Sequence, residues 1–284
     1  MAIIGIDFAK EGFIVDGEII EKIKSLPPLD ETVLKIQKIC TNKDSTLTEL
    51  VSVVKSDPML TANILKSANS PLYGFSREIK SVSHAVSLFG MATVRGFALS
   101  SAVKKNMTTD LSPYGLSEGS FLEISSLQSA LMFNWYSKVD RELLDILVPA
   151  SFMMEVGKVI ISHILVERGE GAAFYDKIKK LETIEELSML EMDTFKITNE
   201  EIAAKIFAQW NLETELVEAI RYSTNLEDAP EHIKPFSTAL KIVKKAINSF
   251  SIFEEKSIEK AVSLLEENDL KSNIFLNEIE KLKQ

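Results

Sequence analysis

The residues of this chain with most chemistry to offer are three histidines, one cysteine and one carboxylate set inside an apolar stretch. A zinc or di-iron centre needs several imidazole, thiolate or carboxylate donors converging at set spacings. His84, His163 and His232 meet none of these patterns: no aspartate adjoins them, and no two stand at the spacing of a helical metal pair. His84 and His163 read as packed or capping histidines. Cys40 is the chain's single cysteine, which excludes an internal disulfide and a thiolate zinc site. It shares a helical apolar pattern with Val33 and Ile36 and reads as a buried core thiol rather than a nucleophile. No GxSxG elbow, P-loop or GxGxxG run occurs, and the 11 glycines are scattered as caps, an arrangement that does not cradle a phosphate. No cofactor is expected.

Glu155 is the carboxylate inside the apolar stretch from Pro149 to Leu165. Two readings compete for it. Burial would raise its pKa and make it a general acid. Alternatively Lys158, three residues on, pairs with it on a helix surface. The same stretch is broken by Glu155, Lys158 and His163 and falls short of the about 20 apolar residues a bilayer span needs. With no charged, apolar leader at the start, a soluble cytoplasmic protein without membrane insertion is expected.

Charge narrows the partners. The chain carries 32 Lys and Arg against 42 Asp and Glu, a formal net charge of −10 with pI near 5.0. No cationic run is long enough to track a phosphate backbone, so nucleic acid is an unlikely partner. Residues 81–103 have the look of a helix-turn-helix, but the second helix offers only Arg95, then Lys104 and Lys105, where base and phosphate contacts need several cations. A helix pair packing within a lobe is the plainer reading.

The elements that must position these residues are helices. With 45% apolar and 26% charged residues, the composition is globular. Residues 1–17 lack a sustained helical period and read as an arm. Leu47, Leu50, Val51 and Val54 then mark one apolar helix face, opened by a Thr46–Glu49 capping box. Asp57-Pro58 starts the next helix and Asn69-Ser70-Pro71 ends it. Helices follow on either side of Gly90, and the turn-rich run 107–119 reads as a boundary between two helical lobes. Beyond it, helices are expected near 120–138, 141–148, 150–166, 171–180, from a Thr198–Glu201 capping box through Trp210, and over 212–221. Three more close the chain near 236–250, 257–267 and 273–283. No parallel-sheet pattern or solenoid repeat is present, so the class is all-α.

The order of motifs resembles a known family. The runs LPPLDETVLKIQKI, LVSVVKSDPMLTANILKSANSPLYG and IKSVSHAVSLFGMATVRGFAL are similar to the N-terminal half of the HDOD family, signalling-associated relatives of the HD-domain phosphohydrolases. The carriers are Leu26-Pro27-Pro28, Asp57-Pro58, Leu65, Ala68-Asn69-Ser70, Tyr73, Ile79, Ala85, Leu88 and Gly90. The likeness continues through Ala150 to Ile160 and AAKIFAQWNLETELVEAI. It implies an HD-domain/PDEase-like helical bundle: an arm over 1–17, an HDOD-like domain over 18–224 (an N-terminal helical lobe, 18–107, and a degenerate HD-like lobe, 119–224), and an appended helical extension over 225–284.

The departures from the family's enzymatic relatives carry the functional expectation. Where an active HD enzyme places its paired histidine and aspartate, this chain has Met154-Glu155. Ile124 and Ser125 stand near the position of the first histidine, and Asn199 and Ser223-Thr224 where members often show histidines. Thioether and hydroxyl groups do not replace imidazole and carboxylate around a divalent ion, so metals and catalytic residues are expected to be absent. The resemblance then implies a non-catalytic regulatory or adaptor module of bacterial signal transduction that binds other signalling proteins, or a small nucleotide in a remnant pocket. The alternatives are a cryptic HD-type metal-dependent phosphohydrolase using Glu155 and a nucleotide-sensing module. Asn69, Ser70, Tyr73 and Arg77 are the candidate interaction surface. The competing reading has Asn69 and Ser70 capping a helix and Tyr73 plugging the lobe.

Overall fold

The computed structural model describes residues 16–73, 75, 77–106 and 110–283, with the side chains of 104–106 left out. The expected arm, up to residue 15, the 107–109 part of the expected boundary and the Lys104 and Lys105 side chains lie outside this set. The chain is all-α, and among the described residues no strand occurs beyond one isolated bridge between Ile247 and Ile252.

The first lobe is built around one long element. Helices α1 (Gly17–Lys24), α2 (Glu31–Thr41), α3 (Leu47–Lys55) and α4 (Pro58–Ala68) precede α5 (Val82–Asn106). The starts are those that side-chain caps dictate: Thr46 and Glu49 cap each other, and Asp57 accepts from Leu60 N ahead of Pro58. α5 is two helical segments joined at Gly90, whose backbone sits at φ 76° and ψ 175°. Only glycine enters that region freely, so the expected break falls where the sequence places it. α2, α3 and α4 pack on α5. By length and composition alone the window Val82–Val103 is apolar enough to cross a membrane, and 61% of it is buried inside the protein.

The second lobe contains α6 (Glu118–Val139), α7 (Leu144–Met153), α8 (Gly157–Glu167), α9 (Gly171–Ile178), α10 (Ile184–Phe195), α11 (Asn199–Gln209), α12 (Thr214–Arg221), α13 (Lys234–Ala246), α14 (Glu255–Glu267) and α15 (Ser272–Leu282). α7 joins the lobes, packing on α5 on one side and on α6, α12 and α13 on the other.

Two packing relationships cross the expected boundaries. α1 packs on α8 and α11, and Trp210 Nε1 donates to Pro27 O at 3.1 Å, so α1 and the turn after it lie against the second lobe. α13, in the expected extension, packs on α6, α7 and α12, with Ala239, Leu240, Ile242, Val243 and Ala246 fully buried. A helix with five such positions is apolar on the face it turns inward, and that face needs the bundle to cover it.

Candidate functional site

The helix expected to run unbroken over 150–166 stops and restarts. α7 ends at Met153 and α8 begins at Gly157, with Glu155 in the turn between them. Asn199, at the start of α11, bridges the break. Its Nδ2 donates to Met154 O at 3.1 Å and its Oδ1 accepts from the Lys158 backbone N–H at 2.8 Å, so groups that lose helical partners at the break are paired. The approach is close enough that a Cβ on residue 157 would lie 2.1 Å from Asn199 O. Gly157 is required by that contact.

Around this break lies a buried charged cluster. Glu155, Lys158, Glu191, Asn199, Glu200 and Lys244 are each between 0% and 3% exposed, and they come from the α7–α8 turn, α8, α10, α11 and α13. Lys158 Nζ pairs with Glu155 Oε2. Lys244 Nζ pairs with Glu200 Oε1 and lies 3.5 Å from Glu155 Oε1. Gln128 of α6 donates to Glu155 Oε1 at 3.3 Å and to Ile247 O at 2.9 Å. Glu191 accepts from Tyr114 Oη at 2.8 Å and from Asn199 N at 2.7 Å. The Lys158 ammonium also stands 5.6 Å from the centre of the Tyr114 ring, within cation–π range.

The electrostatics follow from burial and pairing. Burial alone would push the Glu155 carboxyl up, but the ammoniums of Lys158 and Lys244 on either oxygen overcome it and hold its pKa down at about 2. Both earlier readings of Glu155 are therefore corrected. It is no surface pair with Lys158, since both are 2% exposed, and it stays ionised where a general acid must hold a proton. Glu191 goes the other way: burial raises its pKa against the attraction of Lys158 and the Asn199 N–H bond. Lys244 is lowered, by burial first, with Glu155 opposing.

The remaining candidates fall elsewhere. Met154 is fully buried and Ile124 and Ser125 lie inside α6, yet the α6 residue that reaches Glu155 is Gln128, one turn further on. Ser223 is buried and donates to Ile220 O at 2.8 Å, a local helix-end bond. His84 is exposed rather than packed, His232 is exposed as well, and His163 is bonded to Glu167 at 3.0 Å. Cys40 is half-buried, its thiol 3.5 Å from Met91 O and pushed up to about 12 by burial, which keeps it from acting as a nucleophile.

Arg95, read as an exposed cation of a DNA-reading helix, is 3% exposed. It pairs with Glu213 Oε1 and donates to Asp145 O at 2.8 Å, while Glu213 Oε2 accepts from Gln37 at 2.9 Å. This polar tie joins α2 and α5 to α7 and the residue preceding α12, and it takes Arg95 out of reach of a nucleic acid.

Of the loop residues, Asn69 is a clamp. Its Nδ2 donates to Leu65 O and Ile79 O, both at 2.9 Å, and its Oδ1 accepts from Ile79 N at 2.8 Å. Ser70 Oγ accepts from Leu72 N at 3.4 Å. Tyr73 is buried edge-on among Phe89, Phe97 and Phe133, its ring 4.8 Å from that of Phe89, and burial pushes its hydroxyl pKa up. Asn69 and Arg77 are both exposed, Ser70 is half-buried and Tyr73 is buried.

Sequence reasoning missed Lys244, Glu200, Glu191, Gln128 and Tyr114. Glu191 rides on α10, a helix announced by Thr183 and Glu186, which form a capping box. Lys244 sits inside the apolar pattern Ala239, Leu240, Ile242, Val243 and Ala246, so a lysine on the buried face of α13 was the available signal.

The polar centre lies inside an all-helical bundle, the fold class of the HD-like structures to which the chain is similar. The chain matches the HDOD domain family over residues 26–226 and belongs to it. A virulence factor of Campylobacter jejuni of known structure is 26% identical, with 93% of this chain and 94% of that one aligned at a TM-score of 0.58. A Shewanella amazonensis protein provisionally named a phosphohydrolase shares the fold at 19% identity, covering 94% of each chain at a TM-score of 0.67. An uncharacterized protein of Treponema pallidum is 22% identical over 239 residues, 81% of this chain; the chain spans 44% of that relative's length.

A divalent metal, as HD hydrolases would use, does not fit this donor set. Among the described residues no three His, Cys, Asp or Glu side chains are placed to hold an ion together. Both Glu155 oxygens instead face ammonium groups.

Proposed function

We propose that the chain is a non-catalytic HDOD module of bacterial signal transduction that works in the cytoplasm by binding another signalling protein. The observation that carries this reading is the chemistry at Glu155. Hydrolysis on this fold relies on a metal to generate hydroxide and neutralise phosphate charge, and here lysines saturate the carboxylate that would have to serve. Lys158 and Lys244 are also too deeply buried to meet a phosphate substrate. Family membership supports the signalling role, and the matching segment of the longer Treponema pallidum relative fits a module that operates within larger assemblies.

The experiment is metal analysis and phosphodiesterase assay on the purified chain, beside a thermal-shift panel of nucleotides. The expected result is no stoichiometric metal, no turnover and no nucleotide-dependent stabilisation, together with recovery of a discrete signalling protein by affinity capture from the native cell. Turnover that Glu155→Ala abolishes overturns the non-catalytic reading. A nucleotide present at about 100 times its dissociation constant would stabilise the fold by about 2.7 kcal/mol, and such a shift would assign ligand sensing instead.

A further inference from the structure

We propose that α7 is a coupling bar between the lobes whose shape the first lobe controls: Arg95 of α5 supplies the hydrogen-bond donor that Pro149 withholds from the Asp145 carbonyl, so a displacement of α5 reaches the buried polar centre. The inference goes beyond the binding role and does not depend on it.

Pro149 stands inside α7, midway along its 10 residues. A proline has no N–H to donate four residues back, and its ring crowds the carbonyl there. In α7 that carbonyl belongs to Asp145. Arg95 Nη2 donates to it at 2.8 Å, from a side chain that is itself buried. A group of the first lobe thus stands in for a backbone donor of α7.

Two further observations show that α5 is fitted to the proline. The backbone at Gly96, next to Arg95, comes so close that a Cβ there would lie 3.3 Å from Pro149 Cα. Arg95 Nε is buried without a hydrogen-bond partner, so Glu213 and the Asp145 carbonyl aim the guanidinium at the expense of one of its own donors.

α7 begins at this joint and ends at the polar centre. Asp145 lies in its first turn. Its last residue, Met153, leads into Met154, whose carbonyl accepts from Asn199, and then into Glu155. A helix that has lost a rung bends at the gap unless something outside it fixes the axis. Here the fixing group rides on α5, and when it withdraws, the bend of α7 carries the α7–α8 turn away from the Asn199 amide that holds the Lys158 N–H.

The test is amide hydrogen exchange of the full chain in four forms: wild type, P149A, R95M/E213L and R95M/E213L/P149A. R95M/E213L removes both charges of the joint together and leaves the Asp145 carbonyl without its donor; P149A returns a backbone N–H to it. In R95M/E213L the amides of residues 153–159 should exchange at least about tenfold faster than in wild type, while those of α10, which carries no residue of the joint, change by less than about threefold. Adding P149A should bring 153–159 back to within about threefold of P149A alone. Acceleration that survives P149A, that spreads equally to α10, or that is absent from 153–159 overturns the proposal. If R95M/E213L does not fold, a folded triple variant supports the proposal and an unfolded one overturns it. Loss of the fold in P149A alone also overturns it, since the ring of the proline and not its missing N–H would then shape the joint.

Discussion

Lys244, eighteen residues beyond the family-matched segment by the numbering of the chain, closes an ion pair with Glu200 inside it. The second lobe therefore cannot be complete without α13. A chain ending at residue 226 would leave Glu155 and Glu200 without that ammonium and uncover the surfaces of α6, α7 and α12 on which α13 packs. It should lack near-ultraviolet circular dichroism and show no cooperative melt, where the full chain shows one. A cooperative transition in the shortened protein would return α13 to the status of an appended tail.

Gly157 faces Asn199 at a distance no side chain tolerates. Gly157→Ala should cost about 3 kcal/mol, since the contact is with backbone and the helix break has nowhere to move. Gly119, exposed at the start of α6 with only the Ser117 hydroxyl at 3.7 Å, serves as control: Gly119→Ala should stay within about 0.5 kcal/mol. Urea denaturation of the two variants measures the difference.

How much of this was legible follows from what local sequence encodes. Thr46, Asp57 and Thr198 announced their helices because a cap is a contact made within four residues. Gly90 announced its kink because a positive φ is a property of one residue. Glu155 was singled out as an odd carboxylate in an apolar run, but its state was not readable, since it depends on how deeply the residue is buried and on Lys244, 89 positions away, joining Lys158 in holding its pKa down. The α7–α8 break was invisible for the same reason: Asn199 makes it, and periodicity within 150–166 carries no trace of a partner on another helix. Arg95 was misplaced because a charge in a helical pattern is usually solvated, and only the facing Glu213 makes its burial tolerable.

Glu155 and Glu191 should respond to pH with opposite signs. The Glu155 pKa lies at about 2, below its ordinary 4.5, so its stabilising contribution is complete above pH 4.5 and lost as pH falls towards 2. The Glu191 pKa is raised, so its contribution is complete below pH 4.5 and lost as pH rises through the raised value. At neutral pH, Glu155→Gln should therefore destabilise by about 3 kcal/mol, as for a broken buried pair, and flatten the acid limb of the stability curve. Glu191→Gln should be neutral or stabilising there, because an amide keeps the Asn199 bond and can donate to the Tyr114 oxygen. Denaturant midpoints from pH 3 to 8 check both, and matching signs for the two variants would contradict the assignment.

Arg95 ties the lobes through Glu213 and the Asp145 carbonyl. Arg95→Ala should cost about 3 kcal/mol or more, because it strands the Glu213 carboxylate beside Gln37 in a largely desolvated joint. The measurement is the urea midpoint of the variant and of Arg95→Ala/Glu213→Leu. Removing both charges should recover part of the loss, and a double variant no better than the single would show that packing, not charge, sets the cost.

Asn69 and Arg77 separate two roles that the loop after α4 could play. The Asn69 amide holds Ile79 by both its backbone N–H and its carbonyl, and Ile79 is itself buried. Asn69→Ala leaves those groups without partners and should cost about 2 kcal/mol, loosening the segment that seats Tyr73 against Phe89. Arg77 is exposed and carries no such burden, so Arg77→Ala should leave the melting temperature unchanged. Partner capture then assigns the surface. Weaker capture by Arg77→Ala at unchanged stability places the partner on this loop. Capture that falls only with Asn69→Ala, in step with its lost stability, leaves the loop a structural clamp and moves the docking surface elsewhere on the module.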